Sequence, residues 1–262
     1  MEIQLLGAHN LETRDTRHTC FLIDGRIAID AGSLVTGLTP EELENVRALL
    51  LTHHHFDHIR DVPTLGLVRR DARETLDLWG LPATLAGVHD HVMDGNVYPD
   101  LTKRLNEDPP RFRARPLKPW ATAHVDGYQI KVIPVPHPVP AVGYIIRADS
   151  SGNAAPSRSI GLTGDTGGDL MPFLRDPLSP EVLFIDMTFP NRLRELAKLT
   201  GHLTPGLLRE QAWAALQAGL RVPKLVAVHR GLGNEEELLA ELSIVRGQLG
   251  IDLIAGYPGM VV

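Results

Sequence analysis

The run LLLTHHHFDHIRD, residues 49–61, restricts this chain more than any other feature of it. A leucine-rich segment ends, and His53, His54, His55, Asp57 and His58 follow within six positions. Of these, His53, His55, Asp57 and His58 make H-x-H-x-D-H, a spacing that one strand-to-helix turn can direct inward. Neutral imidazole and carboxylate are the ligands that divalent metals of intermediate softness accept where thiolate is absent. A polar loop that happens to be His-rich accounts for three adjacent histidines, but not for the whole pattern directly after LLLT.

One turn cannot complete a metal site, so the rest of the chain has to supply ligands from equivalent positions. VIPVPH puts His137 just past a second apolar run, GLTGD puts Asp165 past a third, and LVAVH puts His229 at the end of a fourth. Each alone reads as a structural or surface residue. Together, four strand ends delivering His or Asp point to one sheet edge carrying a metal centre.

Composition agrees with an ordinary globular chain. At 262 residues, 43% hydrophobic and 22% charged, it can bury a sizeable core, and residues 1–262 read as one hydrolase domain. Cys20 is the only cysteine, which excludes an intrachain disulfide, leaves metal binding to His, Asp and Glu, and fits a reducing cytoplasm. A formal net charge of −6 gives no general basic field for a long polyanion, so nucleic acid is disfavoured as a partner. MEIQLLGAHN lacks the pattern of a signal peptide, and no stretch approaches the roughly 18 apolar residues of a membrane span. A soluble cytoplasmic protein is expected; a homodimer stays open.

Short apolar runs bounded by Gly, Pro, Asp or Asn predict strands at 3–6, 20–23, 26–30, 46–52, 128–135, 142–147, 159–163, 181–186, 224–228 and 251–255. Helices are predicted from TPEELENV, with Thr39 as cap and Pro40 next, from LTPGLLREQAWAALQAG, with Thr204 as cap and Pro205 next, and from residues 234–250. Residues 99–119, rich in Pro and Arg, read as a surface excursion or lid, and 150–159 as an exposed hairpin loop.

H-x-H-x-D-H followed by a lone His, an Asp in GDTG and a late His resembles the metallo-β-lactamase superfamily, and the resemblance spans essentially the whole chain. It implies an α/β fold, an αββα sandwich of two mixed β-sheets flanked by helices, and two divalent metal ions. With N and O ligands alone these are most simply Zn2+, with Mn2+ or Fe2+ also suited. The resemblance further implies that His53, His55 and His137 hold one ion, that Asp57, His58 and His229 hold the other, and that Asp165 bridges them. Asp30 in AIDAG corresponds to a structural Asp beneath the site. His54 falls off the pattern and is expected to point away from the metals, and His18, His89 and His124 have no assigned role.

Two such ions activate water and neutralise an oxyanion, but a leaving group still needs a proton. His202 in GHLTPGLL sits two residues before a helix cap, and Asp186, at the end of FID, is a candidate partner that would favour its charged form. FIDMTFPNRLRELAKLTGHLTPGLL resembles the signature of class II 3′,5′-cyclic nucleotide phosphodiesterases, and HVMDGNVYPDL is similar to that family's segment of His, Asn and aromatic-Pro-Asp. The resemblance implies cleavage of cAMP or cGMP to the 5′-monophosphate, with Asp57, His202 and Asp186 as catalytic residues and His91, Asn96, Tyr98 and Thr204 as substrate contacts. Asp186 stands where that family more often has Glu, Tyr98 where it has Trp, and Phe56 where Leu is common, departures that bear on base preference. A ribonuclease Z-type tRNA 3′ endonuclease, or an esterase, lactonase or thioesterase of the same fold, is the alternative. The former usually carries a Gly/Pro-rich basic arm that is not found here.

Overall fold

The computed structural model describes residues 1–69, 74–104, 109–149 and 158–262. The chain forms two compact units, one of Met1–Ala8, Glu12–Lys118 and Pro258–Val262, the other of His9–Leu11 and Pro119–Tyr257. Each is built on one mixed sheet flanked by helices.

The first sheet contains β1 (Ile3–Gly7), β2 (Cys20–Ile23), β3 (Ile27–Ile29), β4 (Ala48–Leu50), β5 (Leu76–Gly80) and β6 (Phe112–Pro116), in that spatial order. Asp24 and Gly25, both with positive φ (45° and 67°), turn β2 into β3 through a bond from Arg26 N–H to the Ile23 carbonyl. From β3 to β6 the pairing is parallel, so each connection must cross over, and helices fill the crossovers. One of them, Pro40–Asn45, starts at a capping box in which Thr39 Oγ1 accepts from Glu42 N–H and Glu42 accepts from Thr39 N–H. Leu22, Ala28, Leu49, Leu65, Leu78 and Phe112 belong to one buried cluster.

The second sheet has the order β13-β12-β11-β10-β9-β8-β7, formed by β7 (Thr122–Val125), β8 (Tyr128–Val135), β9 (Ala141–Ala148), β10 (Ser159–Leu162), β11 (Val182–Asp186), β12 (Lys224–Val228) and β13 (Leu253–Ala255). Strands β10 to β13 are mutually parallel, and β9 is antiparallel to both β8 and β10. The strands β8, β10, β11 and β12 therefore end on one edge of this sheet. Ile145, Leu183, Ile185, Leu225 and Ala227 pack with Leu208, Ala212, Leu238 and Leu242 from the helices Pro205–Gln217 and Glu235–Leu249.

The ten expected strands and three expected helices are present, some shortened at their ends. β5, β6, β7 and the helix Pro82–Val92 were not expected. The largest correction concerns residues 99–119, read as a surface excursion or lid. Phe112–Pro116 is an edge strand paired along its length with β5, Phe112 is 1% exposed, and Arg113 and Arg115 pair with Asp77 across the ladder. Residues 105–108 of that stretch, and 150–157 of the expected hairpin loop, lie outside the described residues. Among the described residues no helix is long and apolar enough to cross a membrane.

Phe112 separates the two readings of that segment. Phe112→Ala should lower unfolding free energy by about 3–5 kcal/mol in a urea titration, as for other buried aromatics. A change within about 0.5 kcal/mol, usual for a surface residue, would return the segment to the lid reading.

Candidate metal centre

In the first unit the site grows from the ends of the parallel neighbours β3 and β4. Asp30 follows β3 with φ 57°, a left-handed backbone that few residues other than glycine adopt. Its carboxylate is 1% exposed. Oδ1 accepts from Thr52 N–H at 2.8 Å, and Oδ2 accepts from the Thr52 hydroxyl at 2.8 Å and from His58 Nδ1 at 2.7 Å. With Nδ1 donating to Asp30, the lone pair of His58 sits on Nε2, which lies 3.5 Å from Asp57 Oδ2. The His53 ring lies 4.6 Å from that of His55 and 4.1 Å from that of His58. Imidazoles gathered this closely around one turn are a donor set of the kind a divalent cation accepts.

The ligand turn is held by close packing on Gly32, where a Cβ would lie 2.0 Å from the Asp57 carbonyl oxygen and 2.5 Å from His18 Cβ. Ala31 N–H donates to the His58 carbonyl at 2.7 Å. No side chain at position 32 fits this approach.

In the second unit, His137 follows β8, Asp165 follows β10, Asp186 closes β11 and His229 follows β12. These are the carboxyl ends that the sheet topology brings to one edge. His137 Nδ1 donates to the Gly201 carbonyl at 3.0 Å. Burial lowers its pKa below the ordinary histidine value, so the ring is neutral near pH 7, the form a metal accepts. His229, nearly fully buried and with φ 59°, turns Nε2 to within 3.3 Å of Asp165 Oδ2.

His202 stands between two helices. Gly201, left-handed at φ 71°, stops Arg194–Thr200, and Thr204 caps Pro205–Gln217. His202 Nδ1 donates to Asp186 Oδ2 at 2.6 Å, and its ring stacks on His229 at 5.3 Å and 14°. Asp165, Asp186, His202 and His229 offer ligand atoms that all lie within 4.8 Å of one another.

Thr204 is fully buried and its hydroxyl accepts from Leu207 N–H, so it caps the helix Pro205–Gln217. His91 is exposed in the last turn of Pro82–Val92, and Asn96 and Tyr98 lie in the turn that follows, where Asp94 accepts from the Asn96 and Val97 N–H groups. His54 packs on Gly87 of the same helix, its Nδ1 without a hydrogen-bond partner among the described residues. His18 is buried, His89 pairs with Asp90 and Asp100, and His124 pairs with Asp149.

Sequence reasoning missed two residues. Thr188, 1% exposed, puts its hydroxyl 2.7 Å from Asp186 Oδ1 and 2.9 Å from His229 Nδ1. Asn191 Oδ1 accepts from Gly206 N–H at 2.6 Å and so caps the helix behind His202. Both lie in DMTFPN, where the hydroxyl and amide beside an acidic strand end were the available signal.

A family model described as "Beta-lactamase superfamily domain" matches residues 23–230. No curated protein matches the chain. Among solved structures, unliganded yeast PDE1 has a TM-score of 0.77 at 18% identity, with 99% of this chain and 98% of that one covered. The metallo-beta-lactamase fold protein YhfI from Bacillus subtilis has a TM-score of 0.73 at 16% identity, covering 100% and 98%. Human tRNase Z, short form, has 0.68 at 16% identity, covering 100% and 98%. At such identities the likeness is one of fold, and the two mixed sheets flanked by helices are those of the metallo-β-lactamase fold.

Gly201 tests the packing around His137. A Cβ there would lie 2.6 Å from Pro138 Cδ and 3.0 Å from His137 Nδ1, in a backbone that disfavours side chains. Gly201→Ala should cost about 1–3 kcal/mol in denaturant titration and displace the His137 imidazole signals in an NMR spectrum. Unchanged stability together with an unchanged spectrum would show that Gly201 is not packed against His137.

Proposed function

Because the chain belongs to the metallo-β-lactamase superfamily, a fold of metal-dependent hydrolases, we propose that it is a dinuclear phosphodiesterase that opens 3′,5′-cyclic nucleotides to nucleoside 5′-monophosphates. On the sequence pattern, His53, His55 and His137 would hold one ion and Asp57, His58 and His229 the other, with Asp165 shared between them. The N and O donor set without thiolate fits divalent cations, zinc first among them. When bound, two such ions supply Lewis acidity and lower the pKa of water toward neutrality.

The observation that carries the reading is the 2.6 Å bond between His202 Nδ1 and Asp186 Oδ2, set beside His229. A nucleoside 3′ oxygen leaves as a poor, basic alkoxide and needs a proton. With Nδ1 held by a buried carboxylate, the imidazolium is favoured and the proton it hands over is the one on Nε2. Asp186 keeps the ring in place and offsets its charge, while Asp57 is the carboxylate that orients the attacking water. His91, Asn96 and Tyr98 are proposed to meet the nucleoside.

The substrate is small and carries one negative charge, so no extended basic surface is required. A tRNA demands such a surface, and its binding would weaken steeply with salt. With a net charge of −6 the chain favours the small substrate, acting in the cytoplasm.

Two experiments test this. The zinc-loaded protein is offered cAMP, cGMP and a pre-tRNA in ¹⁸O-water; label in the phosphate of a 5′-monophosphate is expected, and efficient pre-tRNA cleavage with neither cyclic nucleotide turned over would overturn the proposal. Among variants, His202→Ala should keep both metals and lose about 10² to 10⁴ in turnover, whereas Asp165→Ala should lose metal and activity together. Two equivalents of metal retained by Asp165→Ala would refute the ligand assignment.

A further inference from the structure

A threonine hydroxyl has one proton to give and lone pairs to receive with. Thr52 and Thr188 are both 1% exposed, so their hydrogen bonds are settled inside the protein. Thr52 Oγ1 lies 2.8 Å from Asp30 Oδ2 and 3.0 Å from His53 Nδ1. Thr188 Oγ1 lies 2.7 Å from Asp186 Oδ1 and 2.9 Å from His229 Nδ1. An ionised carboxylate can only accept, so each hydroxyl proton goes to the Asp, and each threonine oxygen is left to accept from the histidine.

Competing contacts do not change this at Thr188. The His229 carbonyl, at 3.1 Å, is a neutral acceptor and farther away than the charged Asp186 oxygen. His202 Nδ1 is 3.2 Å from the hydroxyl but 2.6 Å from Asp186 Oδ2, and gives its proton there. The arrangement occurs once in each unit. Asp30 binds His58 directly and reaches His53 through Thr52, and Asp186 binds His202 directly and reaches His229 through Thr188.

We propose that Thr52 and Thr188 are positioning residues that hold His53 and His229 as Nδ1–H tautomers, so that each presents the Nε2 lone pair to a divalent cation. The proposal deepens the two-metal reading and rests on it for the identity of what Nε2 receives. It adds that the two threonines serve different ions: Thr52 the one shared by His53, His55 and His137, Thr188 the one shared by Asp57, His58 and His229.

Valine removes each hydroxyl while keeping the side-chain shape, and serine restores it. In metal-free protein, ¹⁵N chemical shifts of the imidazole nitrogens report the tautomer; Nδ1–H is expected at His53 and His229 in the parent, with His229 losing that preference in Thr188→Val and His53 in Thr52→Val. In zinc titrations followed by calorimetry, each valine variant should weaken one of two equivalents by about 10- to 100-fold, the usual effect of losing a partner behind a metal ligand, and each serine variant should restore it. An Nε2–H tautomer at His229 in the metal-free parent would overturn the proposal, whether or not the valine variants fold. So would valine variants with parental tautomers and parental zinc affinities. A parent that shows the Nδ1–H tautomers yet binds no zinc would instead sink the two-metal reading and leave the tautomer relay standing.

Discussion

Two carboxylates without access to water determine the local structure of the candidate site. A buried carboxylate is strongly unfavourable unless its oxygens are filled by donors. Asp30 and Asp186 are 1% and 0% exposed, and both are filled. To satisfy Asp30, the chain after β4 must bring Thr52 and His58 back onto it, which fixes His53 and Asp57 in between. To satisfy Asp186, the GDTG turn must bring Thr166 N–H to Oδ2 at 3.1 Å, which fixes Asp165 next to it, while Thr188 and His202 close the remaining positions. Loops that look irregular in sequence are thus set by the demands of one anion each.

The sheets supply the direction these loops need. In the second unit, three parallel neighbours and a strand two places away share an orientation, so Asp165, Asp186, His229 and His137 leave the sheet at one edge. That orientation requires crossovers, and the β11-to-β12 crossover is where His202 sits, in the short link between a glycine-stopped helix and a threonine-capped one. Left-handed backbones at Asp30 and His229 cost free energy, and both occur where a strand ends and the polar network begins.

Much of this was legible because it is local. H-x-H-x-D-H, GDTG and GHLTP each combine a turn signal with a polar side chain, and apolar runs preceding them mark buried strands. What failed to show lacked such a local signature. β6 reads FRARP, with proline and two arginines hiding a strand whose burial depends on Phe112 filling the space above Gly66. β7 reads TAHV, and only the following Asp126-Gly127, with φ 46° and 84°, marked a two-residue hairpin into β8. Thr204, read from LTPG as a helix cap, is buried and accepts from Leu207 N–H as that reading requires. Thr188 stands in the legible DMTFPN turn, but its role was not, because two of its partners, His202 and His229, lie 14 and 41 positions away.

Asp186 is the point at which the proposed proton transfer and the proposed metal binding meet. One oxygen serves His202, the other serves Thr188 and through it His229, so the carboxylate cannot be altered for one purpose without disturbing the other. In the cyclic nucleotide family that the sequence resembles, this position more often carries Glu, whose carboxylate lies one methylene farther from the backbone. Here the shorter Asp closes β11, and the Thr188 hydroxyl spans the distance to His229. A longer acid at 186 would push its carboxylate into the space the threonine and His202 already share at hydrogen-bonding distance. The Asp at 186 and the Thr at 188 are therefore matched to each other, and through them the positions of His202 and His229 are set together.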